Sequence, residues 1–191
     1  AMIPVKTERE TGFLMPTMPW TATLGTGVGL PFFWAINEWS DLLIRPTYYS
    51  STGVHLGLNY RYAYSPDKNG TFNLFLASRR FSGPDNPNPD DTSRGRWLGI
   101  WGEGAVEAMN IYRLTGSRLQ SRQMLNFVSN PYYTYDYAAD VGRRADLGNL
   151  RSQVTLTMPG DEWMMTAQAQ YLQSLVVSVP NEPTNPNTLN I

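Results

Sequence analysis

The sequence predicts an all-β fold, an antiparallel up-and-down meander of about eight or nine long strands. Three observations carry this expectation. Val54 to Tyr64 alternates apolar or aromatic residues with polar or small ones without interruption. The same alternation recurs along the chain between clusters of turn-forming residues. No window of the 191 residues is apolar for long enough to make a membrane-crossing helix; the longest run, Val28 to Ile36, contains Pro31 and is about half of a helical span.

The strands can be justified in chain order. Leu42, Ile44, Pro46 and Tyr48 alternate with Asp41, Arg45 and Thr47, and Leu43 is an exception. Val54, Leu56, Leu58, Tyr60, Tyr62 and Tyr64 alternate with His55, Gly57, Asn59, Arg61 and Ala63. Side chains point to opposite faces along a strand, so this run has one apolar and one polar face. At roughly 3.3 Å per residue it spans about 36 Å, long for a soluble domain and suited to a tilted membrane-spanning strand. Phe72, Leu74 and Leu76 alternate with Thr71, Asn73 and Ala77, with Phe75 out of phase. Trp97 to Glu107 and Leu119 to Val128 alternate more weakly, and Glu103 to Leu114 could host a short helix. Leu150, Val154, Leu156 and Met158 alternate with Arg151, Gln153, Thr155 and Thr157; Met165, Ala167, Ala169 and Tyr171 alternate with Thr166, Gln168 and Gln170. Asn37 to Ser40, Ser50 to Gly53 and Pro66 to Gly70 have hairpin chemistry. Ser82 to Gly95 and Asn130 to Gly148 read as longer loops. Strand counting puts the turn at 37–40 and the loop Ser82 to Gly95 at opposite ends of the sheet.

Composition narrows the function classes. Charged residues make up 16% of the chain, below the roughly 25% of ordinary soluble domains, while aromatics reach 13%. A net charge of −1 offers no electrostatic footprint for nucleic acid. Without cysteine there is no disulfide framework, thiolate metal site or cysteine nucleophile. His55 is the only histidine, has no triad spacing, and reads as an ordinary residue of the polar face. Gly25, Gly27 and Gly29 do not make a dinucleotide fingerprint, because Pro31 and aromatics follow where a helix would start. The carboxylate pairs Asp90-Asp91 and Asp161-Glu162 are explained by loop solvation. No catalytic residue, metal site or cofactor is expected. The start, Ala1-Met2-Ile3-Pro4, lacks the basic and apolar regions of a signal peptide and reads as an internal cut.

Two architectures fit long amphipathic hairpins. One is a soluble sandwich with one wet face, binding carbohydrate or another ligand. The other is a membrane barrel wall between lipid and a polar lumen, either part of a large barrel or a small porin-like barrel that closes alone. Trp34, Trp39, Tyr48, Tyr62, Tyr64 and Trp97, together with Trp20, Trp101, Trp163 and Tyr49, suit membrane-interface girdles. Thirteen of the fifteen basic residues are arginine. Arg45, Arg61, Arg122 and Arg151, with His55 and Asn59, are candidate lumen-facing residues, and guanidinium suits phosphate and carboxylate contacts. Pro31 and Pro46 interrupt strand-like runs; lacking an amide hydrogen, each predicts weakened pairing. Gly25, Gly27 and Gly29 would loosen the first strand further.

An ordered set of motifs resembles one family. It begins with Arg9-Glu10-Thr11-Gly12-Phe13-Leu14-Met15-Pro16, continues through Leu30-Pro31-Phe32-Phe33-Trp34-Ala35-Ile36 and Asp41-Leu42-Leu43-Ile44-Arg45-Pro46-Thr47-Tyr48, and includes Gly53 and Tyr60-Arg61-Tyr62. Ser93-Arg94-Gly95-Arg96-Trp97 and Val128-Ser129-Asn130-Pro131-Tyr132-Tyr133 complete it. The order is similar to the start of the barrel in the LptD family of lipopolysaccharide-assembly outer-membrane proteins, also called the organic solvent tolerance family. Asn130 departs from that family's usual Ser-Asp-Pro. The resemblance implies a partial wall of a barrel of about 26 strands in the Gram-negative outer membrane, moving lipopolysaccharide to the outer leaflet. It implies residues 1–16 as a linker from a periplasmic jelly roll, 17–179 as barrel and 180–191 as a Pro/Asn-rich tail. The implied partners are lipopolysaccharide, the remainder of the barrel, a plug lipoprotein, periplasmic bridge proteins and outer-membrane lipid. Pro31 and Pro46 match prolines associated in that family with a lateral gate between the first and last strands.

Overall fold

The computed structural model describes residues 9–22, 24–78, 103–114, 117–129, 133 and 149–175. Eleven strands form one antiparallel sheet: β1 (Gly12–Phe13), β2 (Trp20–Thr21), β3 (Gly25–Gly29), β4 (Phe32–Asn37), β5 (Ser40–Tyr49), β6 (Gly53–Ser65), β7 (Lys68–Ala77), β8 (Glu103–Arg113), β9 (Gln120–Val128), β10 (Asn149–Pro159) and β11 (Met164–Ser174). From β5 to β11 each strand pairs with the next, as the alternation predicted. β3 and β4 both pair with β5 in one continuous register, Gly29 opposite Thr47 and Phe32 opposite Ile44. They are one strand broken at Leu30-Pro31, so the wall has eight long strands among the described residues.

The helix considered for Glu103 to Leu114 is not formed. Those residues make β8, whose register runs from Lys68 opposite Tyr112 to Ala77 opposite Glu103, and β9 pairs along its other side. Pairing on both edges overrides a weak local helical preference. The turn at Pro66 to Gly70 is shorter than its chemistry suggested, since Lys68 already pairs with Ser65. At the first turn, Asn37 Oδ1 accepts from Trp39 N at 2.9 Å and from Ser40 Oγ at 3.0 Å, the local bonding that makes asparagine a turn residue.

Register carries the alternation across the sheet. Ile44, Leu58, Leu74 and Val106 fall on one face, and Leu43, Asn59, Asn73 and Glu107 on the other. Short connections at 37–40, 65–68, 113–120 and 159–164 gather at one end, and the long connections after β7 and β9 at the opposite end. There Leu24, Tyr49, Phe75, Ala77, Ala105, Val128, Tyr133 and Leu150 form the buried core, with Tyr49, Phe75, Ala77, Ala105 and Val128 on the otherwise polar face. This explains Phe75: its side of the sheet is covered at that end by Tyr133, which arrives from the β9–β10 connection. The remainder of the loop Asn130 to Gly148, the loop Ser82 to Gly95, Trp97, Trp101 and the tail 180–191 lie outside the described residues.

Candidate functional site: a proline-broken strand edge and a polar wall

The first strand is shaped by residues that cannot pair normally. Gly25 has φ +78° and hydrogen atoms where a side chain would strike Ser50 Oγ, so the tight β2–β3 hairpin needs glycine there. Gly27 and Gly29 are buried, and a Cβ on Gly29 would stand 2.6 Å from Thr17 Oγ1. The glycines thus let neighbouring side chains close onto the strand, a packing role that composition alone did not reveal.

Each proline removes a different ladder bond. Leu30 N donates to Pro46 O at 3.2 Å, and Pro46 has no hydrogen to return to Leu30 O. Leu14 N donates to Pro31 O at 2.8 Å, and Pro31 returns nothing to Leu14. Pro46 therefore thins the bonding between the first strand and β5, whereas Pro31 thins it on the strand's outer edge. The two losses fall at adjacent positions, since Pro31 stands across from Arg45 in the register shared by β3 and β4.

The polar face is an ordered wall of paired groups. Asp41, 2% exposed, accepts from Arg61 Nε at 2.8 Å and from Arg9 Nη1 at 3.1 Å. Asn59 donates to Asn73, whose own amide donates to Glu107 Oε2 at 3.2 Å. Beyond them the Arg45 guanidinium lies 5.9 Å from the Phe75 ring centroid, in room left by Gly57. Arg45 Nε is buried with no hydrogen-bond partner among the described residues. Arg122 and Arg151 are exposed; Arg122 shares its face with Thr155 and Ile111 of the flanking strands. A cleft of about 670 Å³, lined by Arg9, Trp39, Asp41, Arg61, Asn69 and Met109 among others, opens beside the Asp41 cluster.

His55 lies on this face but does not line an open surface. It is 3% exposed, stacked between Phe75 and Tyr133, and its Nε2 is 2.8 Å from Tyr133 Oη. The cause is again Tyr133 at that end. Tyr49, read with the girdle aromatics, is on the same inner side and buried, with Gly27 opposite. Trp34, Trp39, Tyr48 and Tyr64 are exposed; Tyr62 sits between Tyr60 and Tyr64 in a row of rings and donates to Asn110. Asp41, Arg9, Asn73 and Glu107 are not among the candidate site residues that the sequence suggests. Asp41 and Arg61 were already assigned to polar faces, but only the register, which sets them opposite each other, makes them a pair.

A protein-family description, "LptD protein", matches residues 1–175. The LPS-assembly protein LptD of Legionella pneumophila (strain Lens) is 28% identical over 186 residues, covering 94% of this chain and 22% of that protein. Its namesake in Chromohalobacter salexigens is 27% identical over 175 residues, covering 90% and 20%. That of Yersinia pestis bv. Antiqua (strain Antiqua) is 28% identical over 174 residues, with the same coverage, 90% and 20%. The chain spans about a fifth of the length of these relatives.

Proposed function

Because the chain belongs to the LptD family and is part of the wall of a Gram-negative outer-membrane β-barrel, we propose that it forms the first-strand side of a lateral gate through which lipopolysaccharide passes to the outer leaflet. The relatives are named for lipopolysaccharide assembly, a transport role and not an enzymatic one. The observation that carries the gate reading is the pair of one-sided losses at Pro31 and Pro46. A strand meant to part from a neighbour needs an edge held by few hydrogen bonds, and each buried ladder bond contributes about 0.5–1.5 kcal/mol net. Pro31 faces the outer edge, where the closing strand of a barrel would lie.

On this reading the apolar face, with Trp34, Tyr48, Tyr62 and Tyr64, meets outer-membrane lipid and its interfaces. The polar face lines the lumen. Arg45, Arg61, Arg122 and Arg151 guide the phosphates and acidic sugars of the lipid headgroup, with Asn59 and the cleft beside Arg61 offering further polar contacts. The remainder of the barrel, a plug lipoprotein and periplasmic bridge proteins complete the machine.

The test is export of lipopolysaccharide to the cell surface by the full-length protein. Pro31→Ala is expected to slow export by restoring an outer-edge donor; Pro46→Ala restores a donor from β5 toward Leu30 O of the first strand and should affect export less. In the same assay Arg122→Gln and Arg151→Gln, both at exposed positions, should reduce transport while leaving folding intact. Normal export by both proline variants would sink the gate, and normal export by the arginine variants would sink headgroup guidance.

A further inference from the structure

The outer edge of the first strand is not bare. The chain from Gly12 to Thr21 runs antiparallel along it. Gly12 faces Phe33 and Phe13 faces Phe32. Thr17 and Gly29 exchange both backbone bonds, at 2.9 and 2.8 Å; Gly27 N donates to Pro19 O at 2.7 Å; and Trp20 faces Thr26. Phe13 packs edge-on against Phe32, ring centroids 5.0 Å apart. Thr11 Oγ1 accepts from Ala35 N at 3.1 Å. Arg9 reaches Asp41 on β5, which ties the start of the segment across the first strand.

A closed barrel must pair its first strand with its last, because an open edge leaves a row of unpaired backbone groups. The N–H and C=O groups available for that closure are the ones this segment already holds. Both strands cannot occupy them together.

We propose that the outer edge of the first strand is a strand-exchange site, held by Gly12–Thr21 and vacated when the barrel's closing strand pairs there. The inference rests on the barrel reading above and adds to it the identity of the competitor. The hold is built to be weak. At Leu14–Pro31 and at Gly27–Pro19 one partner is a proline, so each pair makes one bond where two are normal. Between them the register slips by one residue, from Leu14 opposite Pro31 to Thr17 opposite Gly29. Anchors lie at the ends, with Arg9 and Thr11 at one and the β2–β3 hairpin at the other, so the middle can lift without losing the segment.

Paired cysteines in the full-length protein test this. Phe13 and Phe32 flank the bonded pair Leu14–Pro31 and are themselves a non-hydrogen-bonded pair, the close-approach geometry a cross-strand disulfide needs. The variant Phe13→Cys/Phe32→Cys is compared with Met18→Cys/Val28→Cys, whose positions lie between the bonded pairs Thr17–Gly29 and Pro19–Gly27. Leu74→Cys/Val106→Cys, a facing pair of β7 and β8, serves as the oxidation control. Barrel closure is read by heat-modifiable migration in gels, and surface lipopolysaccharide separately, each with and without reductant. The expected result is that both segment pairs form disulfides, that the oxidised protein loses closure and export, and that reductant restores both. Control crosslinking without crosslinking of either segment pair would overturn the proposal. Crosslinked protein that still closes would overturn it equally. Loss of closure with no change in surface lipid on depletion of the protein would leave the exchange standing and refute the export reading instead.

Discussion

A methyl group added at Gly27 would stand 2.8 Å from Tyr49 Cε1 and 2.9 Å from Pro19 Cγ, whereas one added at Gly57 would meet Arg45 Nε at 3.4 Å. The first contact is with a buried ring held in the core, and the second is with the middle of a long side chain that can give. Gly27→Ala should therefore destabilise the full-length barrel by about 1–3 kcal/mol through overpacking, and Gly57→Ala by no more than about 0.5 kcal/mol. Denaturant midpoints in detergent check the difference; equal midpoints would remove the packing role assigned to Gly27. Arg61 and Arg9 illustrate a related limit on single residues. Both guanidiniums are about half exposed while the shared Asp41 carboxylate is 3% exposed, so water can solvate either cation if the acid is removed, whereas removing a cation leaves the buried carboxylate short of a partner.

At the scale of strands, the β9–β10 ladder shows side chains completing what backbone pairing leaves unfinished. Regular pairing ends at Gln153 opposite Met124. Beyond it, Ser152 Oγ accepts from Asn126 N and donates to Asn126 O, both at 2.9 Å. Gln173 does the same for Val128, accepting at 3.1 Å and donating at 2.7 Å. These two side chains stand in for a strand partner beside the buried core, where unpaired amides are costly. Gln173→Leu should cost about 1–3 kcal/mol and speed amide exchange at Val128 while β7–β8 amides stay protected. Unchanged exchange at Val128 would show that the stand-in bonds contribute nothing. The alternation in Leu150 to Met158 predicted the strand; it gave no hint that one end of it is held to β9 by side chains.

Over the whole molecule, the described sheet is open: its path runs from β1 to β11 with no pairing between the ends. β11 has exposed residues on both faces, Met164, Met165, Tyr171 and Leu172 among them, and its outer edge has no strand partner among the described residues. An edge of that kind templates association. Residues 1–191 expressed alone should need detergent and should associate through this edge, with light scattering giving a mass above the 21.5 kDa of one chain. A monodisperse monomer without detergent would instead favour a soluble sandwich, and a heat-modifiable monomer in detergent a small self-closing barrel.

The sequence by itself determined the strand identities, the two faces and most turns, because each follows from local physics: a side-chain period of two, proline's missing hydrogen, and asparagine and glycine at reversals. It also carried the family, through motifs spread in order along the chain. Only the tertiary structure decided which polar residues meet. A face assignment says that Asp41 and Arg61 point the same way, but a register is a relation between distant segments, and one residue of slip would separate them. Burial of His55 depended likewise on Tyr133 arriving from far along the chain. The directions in which Pro31 and Pro46 withhold their bonds were settled in the same way, since an amide's orientation has meaning only once a neighbour lies beside it.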